Sequence, residues 1–403
     1  ITQYAYDAND NLVQVTDPLG HATQYTYNAL GDLLQLDSPD TGNTTYTYDD
    51  AGNRWTQSDA RGVVAEFTYD ALNRLTDINY PSDPTLNVTY TYDQGPNGIG
   101  RMTDMADASG STAWTYDAQG RVTSKTQTVA TAVLTVQYQY DAGGRLSGVI
   151  YPDGTVLGYG YDPAGRLATA LAAPGGGTGQ SVIDGVDYLP FGPVSRLNFA
   201  VFPDQDRTYD LDYRPQALSG PLARTYGTDP AGNITGITQG ADAWNFEYDD
   251  LYRLETVTDP KGAIVESFAY DSNGNRTSHD GEIYQTDLTS NRLAQRGAIA
   301  YQYDAMGNTT GTIGDAAGDV SLFYGAHQRL LDSTRDQWQG SYRYNGRGER
   351  VRKDWFFGRG VSQVRVFLYD ESGRLLGEYA EDGTPVAQYL WLGNMPIGVI
   401  QSG

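Results

Sequence analysis

Three histidines, no cysteine and fifty acidic residues bound the chemistry open to this 403-residue chain. His21, His279 and His327 stand far apart. A His-Ser-Asp site would form only if folding happened to collect its members, and surface or turn histidines are the expectation. Asp7-x-Asn9-x-Asn11 and Asp271-x-Asn273-x-Asn275 imitate the start of a calcium loop, but neither has the glycine needed at the sixth position. Gly175-Gly176-Gly177 follows a proline and lacks the lysine of a phosphate loop, so it reads as a linker. Carboxylates are spread throughout, and no pair stands apart as a glycosidase or protease dyad. The expectation is a chain with no catalytic, cofactor-binding or metal-binding residues, and no enzyme.

The residues that do recur with a fixed spacing are tyrosines. Tyr6, Tyr27, Tyr48 and Tyr69 follow one another at 21-residue intervals, each trailed by Asp or Asn. The beat loosens through Tyr92, Tyr116, Tyr140 and Tyr161, and returns at Tyr248, Tyr270, Tyr303, Tyr324, Tyr344 and Tyr369. A fixed period of this length is the mark of a repeat protein whose units pack mainly on their neighbours.

One unit is legible from its turns. Asp17-Pro18-Leu19-Gly20 is a turn, with Pro presetting φ at the second position. Thr23 to Tyr27 alternates in steps of two and is rich in β-formers, so it reads as a strand. Asn28-Ala29-Leu30-Gly31 is a second turn and Leu33 to Leu36 the return strand. One period is therefore one β-hairpin and its connection. Glycine recurs in the turn after the tyrosine at Gly52, Gly120, Gly144, Gly165, Gly274, Gly307 and Gly373. Asp10, Asn73 and Tyr252 replace it elsewhere. Asn and Asp tolerate a left-handed backbone and Tyr does so poorly, so an altered turn is expected at Tyr252. Pairs such as Tyr25/Tyr27 and Tyr46/Tyr48 share one face of the sheet, and adjacent hairpins should align these rings into aromatic ladders. Tyr6, Tyr27, Tyr48, Tyr69, Tyr116, Tyr140, Tyr161, Tyr248, Tyr270, Tyr303 and Tyr369 are read, with the seven glycines, as a structural signature.

Composition alone would suggest disorder: Leu, Ile, Val and Phe make up just under a fifth of the chain, and the net charge is −23. The 32 tyrosines at ordered positions, in step with alternation and turn chemistry, argue against it. The low apolar content suits a thin wall. The acidic balance argues against nucleic-acid binding. No disulfide framework is available, and no apolar run is long enough for a membrane span. The chain starts in mid-repeat without Met and looks like an excised piece.

The expected architecture is all-β: tandem hairpin repeats in a single-layer sheet. Some sixteen hairpins give over thirty strands, which at ~4.8 Å each make a sheet too wide to stay open and flat. It must curl into a hollow shell or part of one. The whole of 1–403 reads as one continuous array without a separate globular domain. Repeats are regular over 1–170, irregular over 171–225 with a Gly-rich break from Ala172 to Ser181, and resume over 226–403.

The Tyr-Asp-x-x-Gly-Arg/Asn-Leu grammar resembles the YD repeats of the Rhs family, which includes bacterial Rhs polymorphic toxins, the shell component of Tc toxins and the teneurin barrel. Tyr188-Leu-Pro-Phe-Gly-Pro-Val194 also resembles an Rhs segment, as do Tyr369 to Tyr379 and Tyr389 to Gly398. The resemblance implies a bacterial encapsulation shell, secreted or at the cell surface, around a C-terminal toxin that lies beyond this chain. The implied partners are the remainder of its own polypeptide, an autoproteolytic Rhs core and the toxin, together with secretion-apparatus or chaperone proteins. The Asp-Pro-x-Gly matches at Asp17, Asp162, Asp229 and Asp259 are read as turns, not as the family's protease site. The alternative reading is an extracellular adhesion or carbohydrate-binding module built from the same repeats, since an aromatic β wall can also hold sugars.

Overall fold

A computed structural model describes residues 1–358 and 361–401. Thirty-eight strands run from Gln3–Tyr6 to Met395–Gln401 in one antiparallel sheet. Among the described residues the only helical segments are two three-residue 3-10 turns, Pro84–Leu86 and Pro174–Gly176. Each strand pairs with the next in sequence, as in Gln3–Tyr6 with Leu12–Thr16 and then Ala22–Tyr27. The first and last strands have one partner each, so the meander does not close into a barrel.

The hairpins form where the turn chemistry says they should. In Asn28–Asp32 the Asn28 N–H donates to the Asp32 carbonyl at 3.0 Å, and the Gly31 N–H donates to the Asn28 carbonyl at 3.2 Å. Gly31 has φ +89°. This is a type I turn followed by a left-handed residue, the three-residue hairpin loop with a bulge. The bulge falls just before the signature tyrosine, between Thr26 and Tyr27, Thr47 and Tyr48, Gln139 and Tyr140, and Gly160 and Tyr161. The connections between repeats often use the same loop: Asp17 and Gly20 bond as Asn28 and Gly31 do.

The turn at Tyr252 is not altered. Tyr252 takes φ +62° and its N–H donates to the Asp249 carbonyl at 2.9 Å, as a glycine would. A left-handed tyrosine costs roughly 1–2 kcal/mol. The Asp249 carboxylate, which accepts from the backbone of Leu251 and Arg253 and from Arg253 Nε, holds the loop in its usual form. The altered turn lies instead at Leu189–Pro193, where Phe191 has φ +55° directly after Pro190. There the left-handed residue has moved one place forward, as in a type II turn. The Gly-rich break is also shorter than its composition suggests. Leu171 pairs with Ser181 and Ala172 with Gln180, so both flanks belong to strands.

The sheet winds back over itself. Hydrogen bonds link residues of its first part to residues 232 to 274 positions later, from Asp17 with Asn291 to Tyr159 with Trp391. Along this seam the connecting turns of the first pass meet hairpin turns of the second. Arg61 donates to the carbonyls of Gly325 and Ala326, and Arg292 to those of Asp40 and Pro39. Where the passes overlap most, they bury an apolar core. Val129, Leu134, Val136, Leu157 and Ile183 of the first pass lie in it with Val351, Val366, Leu368, Leu390 and Leu392 of the second. The scarce apolar residues are concentrated there, while the early hairpins remain a half-buried single layer.

Candidate functional site

What recurs in this molecule is the way one hairpin is fastened to the next. The aspartate after the signature tyrosine is saturated by its own turn. Asp117 Oδ1 accepts from the backbone of Gln119 (3.0 Å) and Arg121 (2.9 Å), and Oδ2 accepts from Arg121 Nε at 2.6 Å. Asp141, Asp162, Asp210 and Asp249 hold Arg145, Arg166, Arg214 and Arg253 in the same way. Asp7, which imitates a calcium ligand, spends its oxygens on Asn9 and Asn11. Hydrogen bonds from Asn11, Asn53 and Asn233 are the first cause holding Asp7, Asp49 and Asp229 below the usual carboxylate range.

Four of these five arginines, all but Arg214, are aimed at a ring of the next repeat. Arg121 lies 4.3 Å from the centre of the Tyr140 ring, Arg145 4.3 Å from Tyr161, Arg166 4.5 Å from Tyr188 and Arg253 4.8 Å from Tyr270. The tyrosine answers with its hydroxyl. Eleven tyrosines donate to a main-chain carbonyl of the preceding unit: Tyr48, Tyr92, Tyr116, Tyr140, Tyr161, Tyr188, Tyr209, Tyr248, Tyr270, Tyr303 and Tyr369. The acceptor in most is the Leu, Ile or Val that follows the arginine position, as in Tyr140 to Val122 at 2.9 Å.

This replaces the expected aromatic ladder. Among the described residues, no stacked or edge-on ring pair joins two signature tyrosines; the ring pairs are Tyr80–His327, Phe268–His279, His327–Tyr344 and Trp338–Phe357. Where a repeat carries the arginine, its guanidinium covers one face of the next ring, as Arg121 does at Tyr140, and each contact of this kind is worth roughly 0.5–2 kcal/mol. Three signature tyrosines lack the hydroxyl bond, and Tyr48, Tyr248 and Tyr369 have the bond but no stacked arginine among the described residues. Tyr6 is exposed at the open end, and Tyr27 and Tyr69 have no hydroxyl partner among the described residues. The signature glycines Gly52, Gly120, Gly144, Gly165, Gly274, Gly307 and Gly373 all occupy the third loop position, with φ between +78° and +87°.

A second set of residues, unmarked by the repeat, makes the seam. Asp17 accepts from Asn273 (2.7 Å), Asn291 (2.9 Å) and His21 (3.1 Å). Burial pushes its carboxyl up, but the bonds from Asn291, His21 and Asn273 outweigh that and hold it at about 2. Lys125 is fully buried. Its ammonium donates to the Tyr369 carbonyl at 3.2 Å and lies 3.8 Å from Glu349 and 3.9 Å from Glu371. Burial lowers the Lys125 pKa against the pull of those carboxylates. Gln127 donates to the Phe367 carbonyl, Tyr151 to that of Tyr389 and Tyr90 to that of Gly346. Burial pushes the Tyr90 hydroxyl up to about 12.

The histidines do not assemble a site. His21 Nε2 donates to the Leu288 carbonyl across the seam, and His279 stacks on Phe268 with centroids 4.7 Å apart. His327 is no surface histidine: it is enclosed between Tyr80 and Tyr344, and burial pushes its pKa down to about 4. Among the described residues no group of three or more His, Cys, Asp or Glu is placed to hold a metal ion.

Comparison with known proteins follows the same lines. A family model described as "RHS Repeat" matches residues 6–42, 97–132, 134–156 and 140–178. The toxin protein Tse5 of Pseudomonas aeruginosa is 30% identical over 203 residues, 47% of this chain and 14% of Tse5. The double-stranded DNA deaminase toxin A of Burkholderia cenocepacia is 27% identical over 188 residues, 44% of this chain and 13% of that protein. This chain thus spans about a seventh of the curated relatives it matches. The crystal structure of TcdB2-TccC3-TEV superposes over 95% of the chain and 24% of its own, with a TM-score of 0.78 and 19% identity. The Photorhabdus luminescens Tc holotoxin pore superposes over 97% of the chain and 26% of its own, with a TM-score of 0.67 and 15% identity. At such identities the likeness is one of fold.

Proposed function

From the premise that this is an RHS-repeat, or YD-repeat, chain, we propose that it is part of the wall of a secreted bacterial container that encloses a toxin on the same polypeptide. The observation that carries the reading is the seam. A single sheet too long to stay flat returns on itself and is sealed turn against turn, which is how a one-layer sheet bounds a volume. The toxin relatives and the fold shared with TcdB2-TccC3 assemblies support the same reading. The role asks for impermeability and mechanical continuity, which the tyrosine-arginine couplings supply, and for no chemistry in the wall. One array over 1–403, with the tyrosines and glycines of the turns as its structural signature, is the domain organisation that goes with it. Residues beyond this chain, an autoproteolytic core among them, would complete the enclosure.

Electron microscopy of the full-length protein, with protease protection of its C-terminal region, tests the proposal. A closed hollow particle with internal density and a protected C-terminal part is the expected result. A solid or rod-like particle, or a C-terminal region cleaved as fast as an isolated peptide, overturns it.

A further inference from the structure

One repeat lacks the ring that its neighbour is built to receive. The turn from Asp229 to Asn233 is made like the others: the Asp229 N–H donates to the Asn233 carbonyl at 3.0 Å and the Gly232 N–H to the Asp229 carbonyl at 3.0 Å. The strand before it has the usual bulge, between Gly227 and Thr228. Residue 228 therefore holds the signature position, and threonine stands there in place of tyrosine. Both partners of the missing ring are present in the preceding hairpin. Arg214 is held by Asp210 at 2.7 Å, as Arg121 is by Asp117. With no ring to cover, its guanidinium turns to the exposed Asp212 and to the Pro230 carbonyl. Pro215 follows Arg214 as Val122 follows Arg121, so its carbonyl is the one a signature hydroxyl would reach. Tyr209 donates to Val194 at 2.9 Å and Tyr248 to Ile234 at 2.8 Å, but among the described residues no tyrosine between them donates to Pro215.

The gap is left open. A cavity of about 440 Å³ lies there, with Arg214, Pro215, Leu218, Tyr226 and Thr228 in its wall. That is within the range of small-ligand sites, roughly 300–1,000 Å³. Pro215 is exposed, whereas Val122, Leu146, Leu167 and Leu254, each bonded by a signature hydroxyl, are half-buried. Thr286 also replaces a signature tyrosine, but the turn before it has Asn275 where Arg214 stands. Of the two vacancies, the one at Thr228 has its cation in place.

We propose that this vacancy binds a small phenol, a single ring whose face lies on the Arg214 guanidinium and whose hydroxyl donates to the Pro215 carbonyl, as Tyr140 does with Arg121 and Val122. A guanidinium over an aromatic face is attracted to it, and a phenolic O–H is a donor that a carbonyl satisfies. An aliphatic ligand would use neither group. An anion drawn to the arginine would meet Asp210 and Asp212 beside it. The strands around the cavity are paired on both edges, so a peptide has no main-chain groups to join. The proposal does not depend on the container reading.

The test is ligand-observed saturation-transfer NMR and calorimetry on the 403-residue chain with p-cresol, which is the tyrosine side chain as a free molecule. Binding of p-cresol at millimolar concentration is the expected result. Toluene, which lacks the hydroxyl, should bind about fivefold more weakly, the ratio that one net hydrogen bond supplies. Arg214→Gln should weaken p-cresol binding by a similar factor, and Arg166→Gln, whose guanidinium already covers Tyr188, should leave it unchanged. Thr228→Tyr supplies the ring from the chain itself. It should abolish binding and raise the urea midpoint, and the raised midpoint shows that this variant is folded should Arg214→Gln not be. No p-cresol binding at millimolar concentration, equal affinity for toluene, or parental affinity in Thr228→Tyr or Arg214→Gln overturns the proposal. So does tighter binding of the peptide Gly-Tyr-Gly than of p-cresol, which would assign the vacancy to a protein side chain.

Discussion

Tyr27, Tyr48 and Tyr140 look alike in sequence, yet the structure grades them, and removing their hydroxyls one at a time should reveal the grading. Tyr27 has neither a hydroxyl partner nor a stacked arginine, because Asn11 stands where later repeats have arginine. Tyr48 has only the bond to the Leu33 carbonyl at 2.9 Å. Tyr140 has the bond to Val122 at 2.9 Å and the Arg121 guanidinium at 4.3 Å. A bond of this kind contributes about 1 kcal/mol net. Tyr27→Phe should therefore stay within about 0.5 kcal/mol of the parent, and Tyr48→Phe and Tyr140→Phe should each cost about 1 kcal/mol. Adding Arg121→Ala to Tyr140→Phe should cost about 0.5–1 kcal/mol more, the worth of a partly exposed cation over a ring. Full truncation of Tyr140 to Ala removes ring and bond together and should approach the 3–5 kcal/mol of other large aromatic deletions. Because coupling in such arrays is to nearest neighbours, the assay is native-state hydrogen exchange read hairpin by hairpin. The loss for Tyr140 should appear in the strands Val122–Val129 and Ala132–Tyr140. Equal effects of the three Phe variants, or a largest effect at Tyr27, would refute the reasoning.

Lys125→Ala strips the buried seam of its cation and should cost about 3–5 kcal/mol, read as a lower urea midpoint. A midpoint matching the parent would mean that the seam does not hold the passes together. His327 gives the seam a pH dependence. Its ring is neutral in folded and unfolded chains above about pH 6.5. As the pH falls toward about 4 the unfolded chain takes up a proton that the folded one refuses. Stability should thus decline across that window by at most roughly 3 kcal/mol, and His327→Gln should flatten the decline in pH-dependent melts. Gly307→Ala should cost clearly more than Gly52→Ala in thermal melts. Both have positive φ, but a Cβ at 307 would meet the Asp40 carbonyl at 2.3 Å across the seam, whereas at 52 it meets nothing within 4 Å. Equal losses would mean that the seam yields at that point.

The hairpin was legible in the sequence because everything that makes it is local. The Asx carboxylate, the left-handed residue and the strand alternation all fall within a dozen residues, and they recur often enough to average out exceptions such as Tyr252. The coupling between repeats was half legible. The tyrosine and arginine positions are both periodic, but nothing in a period says that the arginine of one unit lies under the ring of the next, so ring-on-ring stacking was the natural and mistaken inference. The seam was not legible, because its partners are some 250 residues apart and follow no motif. Faint signals exist in retrospect. Lys125 is one of three lysines and interrupts a strand of small polar residues, and Tyr151 stands outside the tyrosine beat.

Winding also changes what a change in copy number would do. In an ordinary solenoid an extra unit lengthens the molecule and disturbs only its neighbours. Here an extra hairpin inserted ahead of Asp59 would carry Asp59 and Arg61 one step along the opposing rim, away from Gly325 and Ala326, while every turn before the insertion kept its old mate. The passes would then disagree by one notch over part of their length. Gene duplication, the usual way repeat proteins grow, is therefore constrained at a distance. Units added within one circuit must be matched by change in the circuit facing it, so the circumference of the spiral is an inherited trait that single duplications cannot easily adjust.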